Sequence, residues 1–230
     1  MREIMPDWIQ TILLIVIGLV TLANWIAIWR GNLTAYYITK PLVLFGLIAY
    51  FLLQGAFGVI RLPFLLGLVF SLIGDIFLIP RGTRWFLAGM AAFSLTQLFY
   101  IWGFNASLPS TPVMVMATFA LLAGILILHL AIERFAITSE LKKSFLPFLK
   151  IYGSLALAMA ISAMLCLARP AWSDLAAVLA GIGGTLFFIS DVMIGLDKLD
   201  RRLPKYKFWI ISSYHLGQFL IVGAVLLLPA

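Results

Sequence analysis

Eight long runs of apolar residues, separated by short polar segments, constrain this 230-residue chain more than any other feature of its sequence. Each run holds about 17–23 residues, the length that an α-helix needs to cross the hydrocarbon core of a bilayer. We therefore predict an all-α, polytopic membrane protein in which residues 1–230 form a single domain, a bundle of eight transmembrane helices. The predicted helices are Trp8–Trp29, Ile38–Gln54, Pro63–Ile79, Trp85–Phe104, Pro112–Ile132, Phe148–Ala168, Asp174–Leu196 and Phe208–Leu228.

The composition argues against the other classes of protein. Hydrophobic residues make up 63% of the chain and charged residues only 11%, whereas a soluble domain carries about 25% charged residues. The charges are too few to cover a water-facing surface, and the apolar content is too high for intrinsic disorder. A transmembrane β-barrel is disfavoured because its strands alternate polar and apolar residues, while the runs here are unbroken.

The basic residues divide unevenly between the two ends of the predicted helices. Thirteen lie at one end: Arg30, Lys40, Arg81, Arg84, Arg134, Lys142, Lys143, Lys150, Lys198, Arg201, Arg202, Lys205 and Lys207. Three lie at the other end: Arg2, Arg61 and Arg169. Because basic residues concentrate on the cytoplasmic side, we predict that both termini lie outside. The net charge of +7 then forms a cytoplasmic collar facing lipid headgroups, so the expected partner is membrane lipid and not nucleic acid.

Two aspartates interrupt the apolar runs, Asp75 in the third helix and Asp191 in the seventh. A carboxylate in hydrocarbon costs several kcal/mol, so each must face a cavity or a partner. At 1.5 Å per residue, both lie about 7–9 Å from the inner ends of helices that run in the same direction. We predict that they form one site near the cytoplasmic face. The alternative is that each makes only a structural hydrogen bond or an ion pair between helices.

Several other polar residues fall within the predicted helices and are candidates for binding a substrate beside the two acids. They are Lys40, Ser71, Gln97, Tyr100, Ser190, Tyr214 and Gln218. Gln97 and Tyr100 are expected nearer the bilayer midplane than the aspartates. Lys40 stands at the inner mouth of the second helix, where it either binds a lipid phosphate or extends its ammonium group to the interface.

The supply of metal ligands is small. The chain has two histidines and one cysteine, and no pair of them has the spacing of a metal site. His215 is expected to pack or to lie at the interface, and Cys166 to fill space between helices. We predict neither a metal nor a cofactor.

Similar residues recur at about half the length of the chain. Asp75 is followed half a chain later by Asp191, and Gln97 by Gln218. This spacing pairs the third helix with the seventh and the fourth with the eighth. We predict a repeat of four helices whose two copies have the same orientation, as in some transporters.

Five segments together resemble the YhhN-like lysoplasmalogenase family of membrane proteins. They are Thr39-Lys40-Pro41-Leu42, Phe70-Ser71-Leu72-Ile73-Gly74-Asp75, the FSLTQLFY segment that ends at Tyr100, Gly184-Thr185-Leu186-Phe187-Phe188-Ile189-Ser190-Asp191, and Tyr214-His215-Leu216-Gly217-Gln218. The resemblance covers about residues 35–225. One departure is Gln97, where the family usually has a histidine, so a proton-transfer role at that position is not expected here.

The resemblance implies a hydrolase that cleaves the vinyl-ether bond of lysoplasmalogens to a fatty aldehyde and glycerophospho-ethanolamine or glycerophospho-choline. Vinyl-ether cleavage needs one carboxyl group to protonate carbon and one carboxylate to stabilise the cation and activate water, as paired carboxylates do in glycosidases. Asp75 and Asp191 are the expected catalytic pair, and which of them is the acid stays open. The substrate would be a lysophospholipid whose headgroup meets the basic collar, with Lys40 near its phosphate.

Two other functions use the same residues. A small proton-coupled transporter would use the aspartates as a proton relay, and a lipid-binding protein would use the site without catalysis. The short loops favour a bacterial inner membrane, and the oligomeric state is left open.

Overall fold

The computed structural model describes residues 6–55, 57–137, 145–201 and 203–228. Its secondary structure within these ranges is helical, with no strand. The helices are α1 (Asp7–Trp29), α2 (Leu33–Leu53), α3 (Leu62–Phe77), α4 (Thr83–Phe104), α5 (Thr111–Ala136), α6 (Leu146–Met164), α7 (Asp174–Lys198) and α8 (Tyr206–Leu226), and a 3₁₀ turn (Leu165–Ala168) extends α6. The predicted all-α class is therefore confirmed. Of the basic residues used to predict orientation, Arg2, Lys142, Lys143 and Arg202 lie outside the described residues.

Seven of these helices, all except α3, are long and apolar enough to cross a membrane. The protein is accordingly an integral, multi-pass membrane protein. Helix α3 has 16 residues, which makes it about 24 Å long. That length is less than the hydrocarbon thickness of about 30 Å, so α3 is the short member of the set.

The second helix begins five residues earlier than its apolar run predicts. The side chain of Asn32 accepts a hydrogen bond of 3.1 Å from the backbone N–H of Ala35, which is the standard N-cap interaction. The polar residues that follow Asn32 are therefore helical although hydropathy does not identify them. The same extension brings Tyr36 into α2, where its carbonyl accepts a hydrogen bond from Asn24 of α1.

The residues group into two compact units, Met1–Thr96 and Gln97–Pro229, with the boundary inside α4. In the first unit, Leu44, Phe51, Phe64 and Leu68 are fully buried between α2 and α3. The prediction of a single domain over residues 1–230 stays a prediction.

In the second unit, α7 and α8 approach each other so closely that only glycine fits at the contact. A Cβ atom built on Gly217 would lie 2.9 Å from the carbonyl oxygen of Gly183, and one built on Gly183 would lie 3.0 Å from the carbonyl oxygen of Gly217. Small residues permit this kind of approach between membrane helices. The contact holds α7, and with it Asp191, firmly against α8.

Two of the three arginines on the predicted outer side stabilise the C-terminal ends of helices. Arg61 donates through Nη1 to the carbonyl of Gln54 at 2.6 Å, and Arg169 donates through Nη1 to the carbonyl of Ser162 at 2.8 Å. Each bond links residues seven apart and precedes a helix that carries an aspartate. The match supports the four-helix repeat, which stays a prediction.

The α7–α8 contact predicts opposite effects for two glycine-to-alanine changes. Gly217→Ala places a methyl group against backbone and should destabilise the protein by about 1–3 kcal/mol. Gly18→Ala is the matched control, since a Cβ atom there has no neighbour within 4 Å. Thermal unfolding of the purified protein in detergent should show a lower Tm for Gly217→Ala and an unchanged or higher Tm for Gly18→Ala. Equal melting of both variants would contradict the close approach.

Candidate active site

Asp75 lies in α3 of the first unit and forms an ion pair with Lys40 of α2. Lys40 Nζ is 2.9 Å from Asp75 Oδ1, and both side chains are buried. The sequence predicted Lys40 at the mouth of its helix with its ammonium group toward lipid. The structure instead directs that group inward to the aspartate. Removing one partner of such a buried pair leaves a desolvated charge and costs about 3–5 kcal/mol.

Asn24 of α1 fixes the segment of α2 that precedes Lys40. Its side-chain amide donates to the carbonyl of Tyr36 at 3.0 Å and to Thr39 Oγ1 at 2.8 Å. Asn24 is fully buried, so these bonds form away from water. These two hydrogen bonds join α1 to α2, and Thr39 immediately precedes Lys40 in the sequence.

Ser71, one turn before Asp75, connects α3 to α4. Its hydroxyl donates to Thr96 Oγ1 at 3.1 Å, and Thr96 Oγ1 donates in turn to the carbonyl of Gly67 at 3.1 Å. Ser71, Thr96 and Asp75 are all fully buried. The proposed role of Ser71 in holding substrate or water remains a prediction.

Asp191 lies in α7 of the second unit, and two neutral side chains hold its carboxyl group. Tyr152 of α6 donates to Oδ1 at 2.6 Å, and Gln97 of α4 donates through Nε2 to Oδ2 at 2.8 Å. Asp191 is buried. Each oxygen therefore has one donor, and neither donor carries a charge. This differs from Asp75, whose partner is a cation, and a single site formed by both acids stays a prediction.

A second polar pair crosses the same unit. Tyr100 donates its hydroxyl proton to Gln218 Oε1 at 2.5 Å, and both residues are fully buried. Tyr100 lies three residues after Gln97, so both point from one face of α4. Three of the predicted binding residues, Gln97, Tyr100 and Gln218, thus lie in the interior of this unit together with Asp191.

Ser190, Tyr214 and His215 are also buried in the second unit. The ring of Tyr214 packs edge-on against Phe187, with centroids 5.4 Å apart. His215 lies beside Tyr214, with ring centroids 5.5 Å apart. These contacts agree with a packing role for His215, and the predicted substrate contacts of Ser190 and Tyr214 stay predictions.

A cavity of about 100 Å³ lies between α5 on one side and α6 and α7 on the other. It is lined by Leu128, Ala131, Ile132, Phe135, Leu149, Tyr152, Gly153, Ala156, Phe188, Asp191, Val192, Gly195, Leu196 and Leu199. Only Tyr152 and Asp191 in this set carry polar side chains. From Phe188 to Leu199 the cavity follows about 16 Å of α7. It is therefore an apolar slot with one carboxyl group and one phenol in its wall.

No metal centre is evident in the described ranges, where no group of three or more His, Cys, Asp and Glu side chains is placed to hold an ion. Cys166 is buried and free, as expected for a residue that fills space.

The predicted site residues include Lys40 and Gln97, but the sequence did not indicate that each contacts an aspartate. Tyr152 is absent from the predicted site residues, and the Lys40–Asp75 ion pair was not predicted. The sequence does carry one signal for Lys40 and Tyr152. Each lies near the predicted inner end of the helix that comes just before a helix with an aspartate. Hydropathy cannot turn that signal into a contact, because it does not say which face of one helix meets which face of the next.

The buried ion pair predicts a non-additive effect on stability. Lys40→Met leaves Asp75 without its cation and should lower the Tm strongly, and Asp75→Asn should do the same to the lysine. The double variant Lys40→Met/Asp75→Asn removes both charges and should be more stable than the sum of the single effects predicts. Lys207→Met, at an exposed position, is the control and should change the Tm little. Additive losses in the double variant would contradict the pair.

Comparison with known proteins gives one family and several curated relatives. The model of the YhhN family matches residues 35–225. Lysoplasmalogenase TMEM86A of Bos taurus is 33% identical over 160 residues, which are 67% of this chain and 61% of the relative. Human lysoplasmalogenase TMEM86A is 32% identical over 160 residues, with the same coverage. Human lysoplasmalogenase TMEM86B is 30% identical over 163 residues, or 70% of this chain and 62% of the relative.

The matched part of the chain thus spans about three fifths of the length of these relatives. No solved structure gives a significant match.

Proposed function

Because the chain belongs to the YhhN family, we propose that it is a membrane-embedded hydrolase that cleaves the vinyl-ether bond of lysoplasmalogens. The matched mammalian relatives are named lysoplasmalogenases. The observation that carries the proposal is the carboxyl group of Asp191, which lies in the wall of an apolar cavity between helices long enough to cross a membrane. A single-chain ether lipid has both the hydrocarbon for the cavity and the acid-labile bond for the carboxyl group.

The bond dictates the chemistry. A proton is added to the β-carbon of the vinyl ether, and the positive charge that results is shared between the α-carbon and the ether oxygen. Water adds to the α-carbon and loses a proton, giving a hemiacetal. The hemiacetal then breaks its bond to the glycerol oxygen. The products are a fatty aldehyde and glycerophospho-ethanolamine or glycerophospho-choline, and one water is consumed.

We assign the two carboxyl roles from the partners of each aspartate. Asp75 pairs with a cation, which favours a carboxylate that stabilises the developing cation and accepts a proton from water. Asp191 has only neutral donors, Tyr152 and Gln97, and lies against an apolar cavity, so we assign it the role of acid. Tyr152 and Gln97 would be positioning residues that fix the direction of the Asp191 carboxyl group.

The proposed chemistry also accounts for the glutamine in α4. A histidine at that position would add a second titratable group beside Asp191, whereas the Gln97 amide donates a hydrogen bond without exchanging its proton. The acid role of Asp191 therefore does not depend on proton transfer through Gln97.

Conservative substitution of either aspartate should abolish the activity. Asp75→Asn and Asp191→Asn keep the shape of the side chain but remove its acid–base function, which contributes about 10²–10⁴-fold. The measurement is release of free aldehyde from lysoplasmalogen by purified protein in detergent. Asp174→Asn, at an exposed position at the start of α7, is the matched control and should retain activity. Full activity in either Asp75→Asn or Asp191→Asn would rule out the mechanism.

The wild-type protein distinguishes the proposed hydrolase from the two rival functions. A proton-coupled transporter would release no aldehyde and would move substrate across a vesicle membrane. A lipid-binding protein would release none and would only gain thermal stability with the lipid. Aldehyde release that depends on protein concentration supports the hydrolase.

Tyr152→Phe tests the positioning role. The change removes one hydrogen bond to a neutral carboxyl group, worth about 0.5–1.5 kcal/mol, so kcat should fall about 2–10-fold while KM changes little. Tyr50→Phe, in α2, is the control and should leave both constants unchanged. A rise in KM with unchanged kcat would show that the phenol contacts substrate rather than Asp191.

The bacterial inner membrane inferred from the short loops remains a prediction, and the matched relatives are mammalian. Fractionation of the source cells tests it.

A further inference from the structure

We propose that Arg201 binds the phosphate of the lysophospholipid at the end of the α5–α7 cavity that is marked by Phe135 and Leu199, while the cavity holds the start of the hydrocarbon chain beside Asp191. This inference rests on the proposed function, since it names the substrate contacts of the same site. It is drawn from the position of one guanidinium group relative to the cavity wall.

The end of the cavity opposite Phe188 is marked by Phe135 of α5 and Leu199 at the end of α7. The guanidinium group of Arg201 lies 5.7 Å from the centre of the Phe135 ring. Arg201 is exposed, so its cation faces the medium while it stacks on a ring that lines the cavity. Arg201 has a further interaction within the protein, and a guanidinium group, with five N–H donors, can bind a phosphate in a bidentate manner beside such a partner.

The backbone holds Arg201 at this point through a helix-terminating motif. Asp200 adopts a left-handed conformation with φ +57°. The N–H of Arg201 donates to the carbonyl of Leu196 at 2.8 Å, and the N–H of Asp200 donates to the carbonyl of Asp197 at 3.3 Å. These two bonds form a Schellman motif, which turns the chain back over the end of α7. Arg201 is thereby fixed above the cavity although it lies in a loop.

The dimensions agree with the substrate. Asp191 and Leu199 are eight residues apart on α7, a rise of about 12 Å. In a lysoplasmalogen the glycerol carbons separate the phosphate from the vinyl ether by less than this distance. The side chain of Arg201 spans the remaining distance between the phosphate and the end of α7. A phosphate at Arg201 would therefore leave the glycerol between Leu199 and Asp191, the vinyl ether close to the Asp191 carboxyl group, and the start of the chain toward Phe188.

The other charged side chains near this end are less suited to the phosphate. Lys150 forms an ion pair with Glu133 of α5, with which a phosphate would have to compete. Arg134 is exposed in the last turn of α5. Neither Arg134 nor Arg201 lines the cavity itself, but the guanidinium group of Arg201 lies against the Phe135 ring, which does. Arg201 is the cation that contacts a ring of the cavity wall in the described part of this unit.

A comparison of substrates with and without phosphate tests the inference. Arg201→Gln should raise the KM for 1-alkenyl-glycerophosphocholine roughly tenfold, the effect of losing charge-assisted hydrogen bonds, with kcat within twofold. For 1-alkenyl-glycerol, which has the same chain and bond but no phosphate, Arg201→Gln and wild type should have the same KM. Arg201→Lys should lie between them for the phosphate substrate. Arg81→Gln, at an exposed position in the α3–α4 loop, is the matched control and should equal wild type with both substrates.

Filling the cavity should have the complementary effect. Ala156 is fully buried and lines the cavity, so Ala156→Leu should weaken both substrates equally. Val192→Phe is a second variant in case Ala156→Leu lowers the yield of folded protein. If Arg201→Gln affects both substrates equally, or neither, the phosphate site is wrong. If cavity-filling variants with a wild-type Tm leave both KM values unchanged, the chain site is wrong.

A binding measurement separates failure of this inference from failure of the proposed function. Radiolabelled 1-octadecyl-glycerophosphocholine, a saturated ether without the vinyl bond, should bind the purified wild-type protein and bind Arg201→Gln about tenfold more weakly. If this pattern holds and no aldehyde is ever released from lysoplasmalogen, the hydrolase proposal falls while the lipid site stands. If aldehyde is released and Arg201→Gln binds as wild type does, the lipid site falls while the hydrolase stands.

Discussion

The carboxyl group of Asp191 lies within helices that are otherwise almost entirely apolar, and it must find hydrogen-bond donors there. Tyr152 from α6 and Gln97 from α4 supply one donor for each oxygen. An unsatisfied carboxyl group at this depth would cost several kcal/mol. These two hydrogen bonds join α4 and α6 to α7 at Asp191. The glycine contact between α7 and α8 holds α7 in that position. Helix α5 has one buried residue, Ile132, and the cavity beside Asp191 lies between α5 and α7.

The two aspartates illustrate two physical solutions to the same problem. Asp75 is compensated by a full positive charge from Lys40, while Asp191 is compensated by neutral dipoles. A cation partner favours the ionised carboxylate, and neutral donors beside an apolar space leave the other carboxyl group able to carry a proton. This difference between the partners of Asp75 and Asp191 suits a reaction that needs one carboxylate and one carboxylic acid. The proposed assignment of roles therefore follows from chemistry around each residue and not from its place in the sequence.

Much of the fold is predictable because a bilayer imposes simple rules. Unbroken apolar runs locate every helix, and the rarity of charge within them singles out Asp75 and Asp191 from the amino-acid sequence alone. The start of α2 was missed because Asn32 caps the helix through a hydrogen bond that hydropathy does not register. Lys40 was predicted to point toward lipid. Its actual partner, Asp75, lies on another helix, so the sequence of α2 alone could not indicate the contact. Tyr152 was missed for the same reason: the rotation of α6 against α7 decides which side chain reaches Asp191, and a single sequence carries no information on that rotation.

The central claim is that a proton is added to the β-carbon and that the bond between the ether oxygen and the vinyl carbon then breaks, and isotope labelling tests the position of cleavage most directly. Hydrolysis of lysoplasmalogen in D₂O, with the aldehyde reduced at once to the alcohol, should place one deuterium on the carbon next to the former carbonyl. In H₂¹⁸O the released glycerophospho-ethanolamine or glycerophospho-choline should keep its original oxygen, because the bond between the ether oxygen and the vinyl carbon is the one that breaks. An ¹⁸O atom in the released glycerol, and not in the aldehyde, would contradict the account.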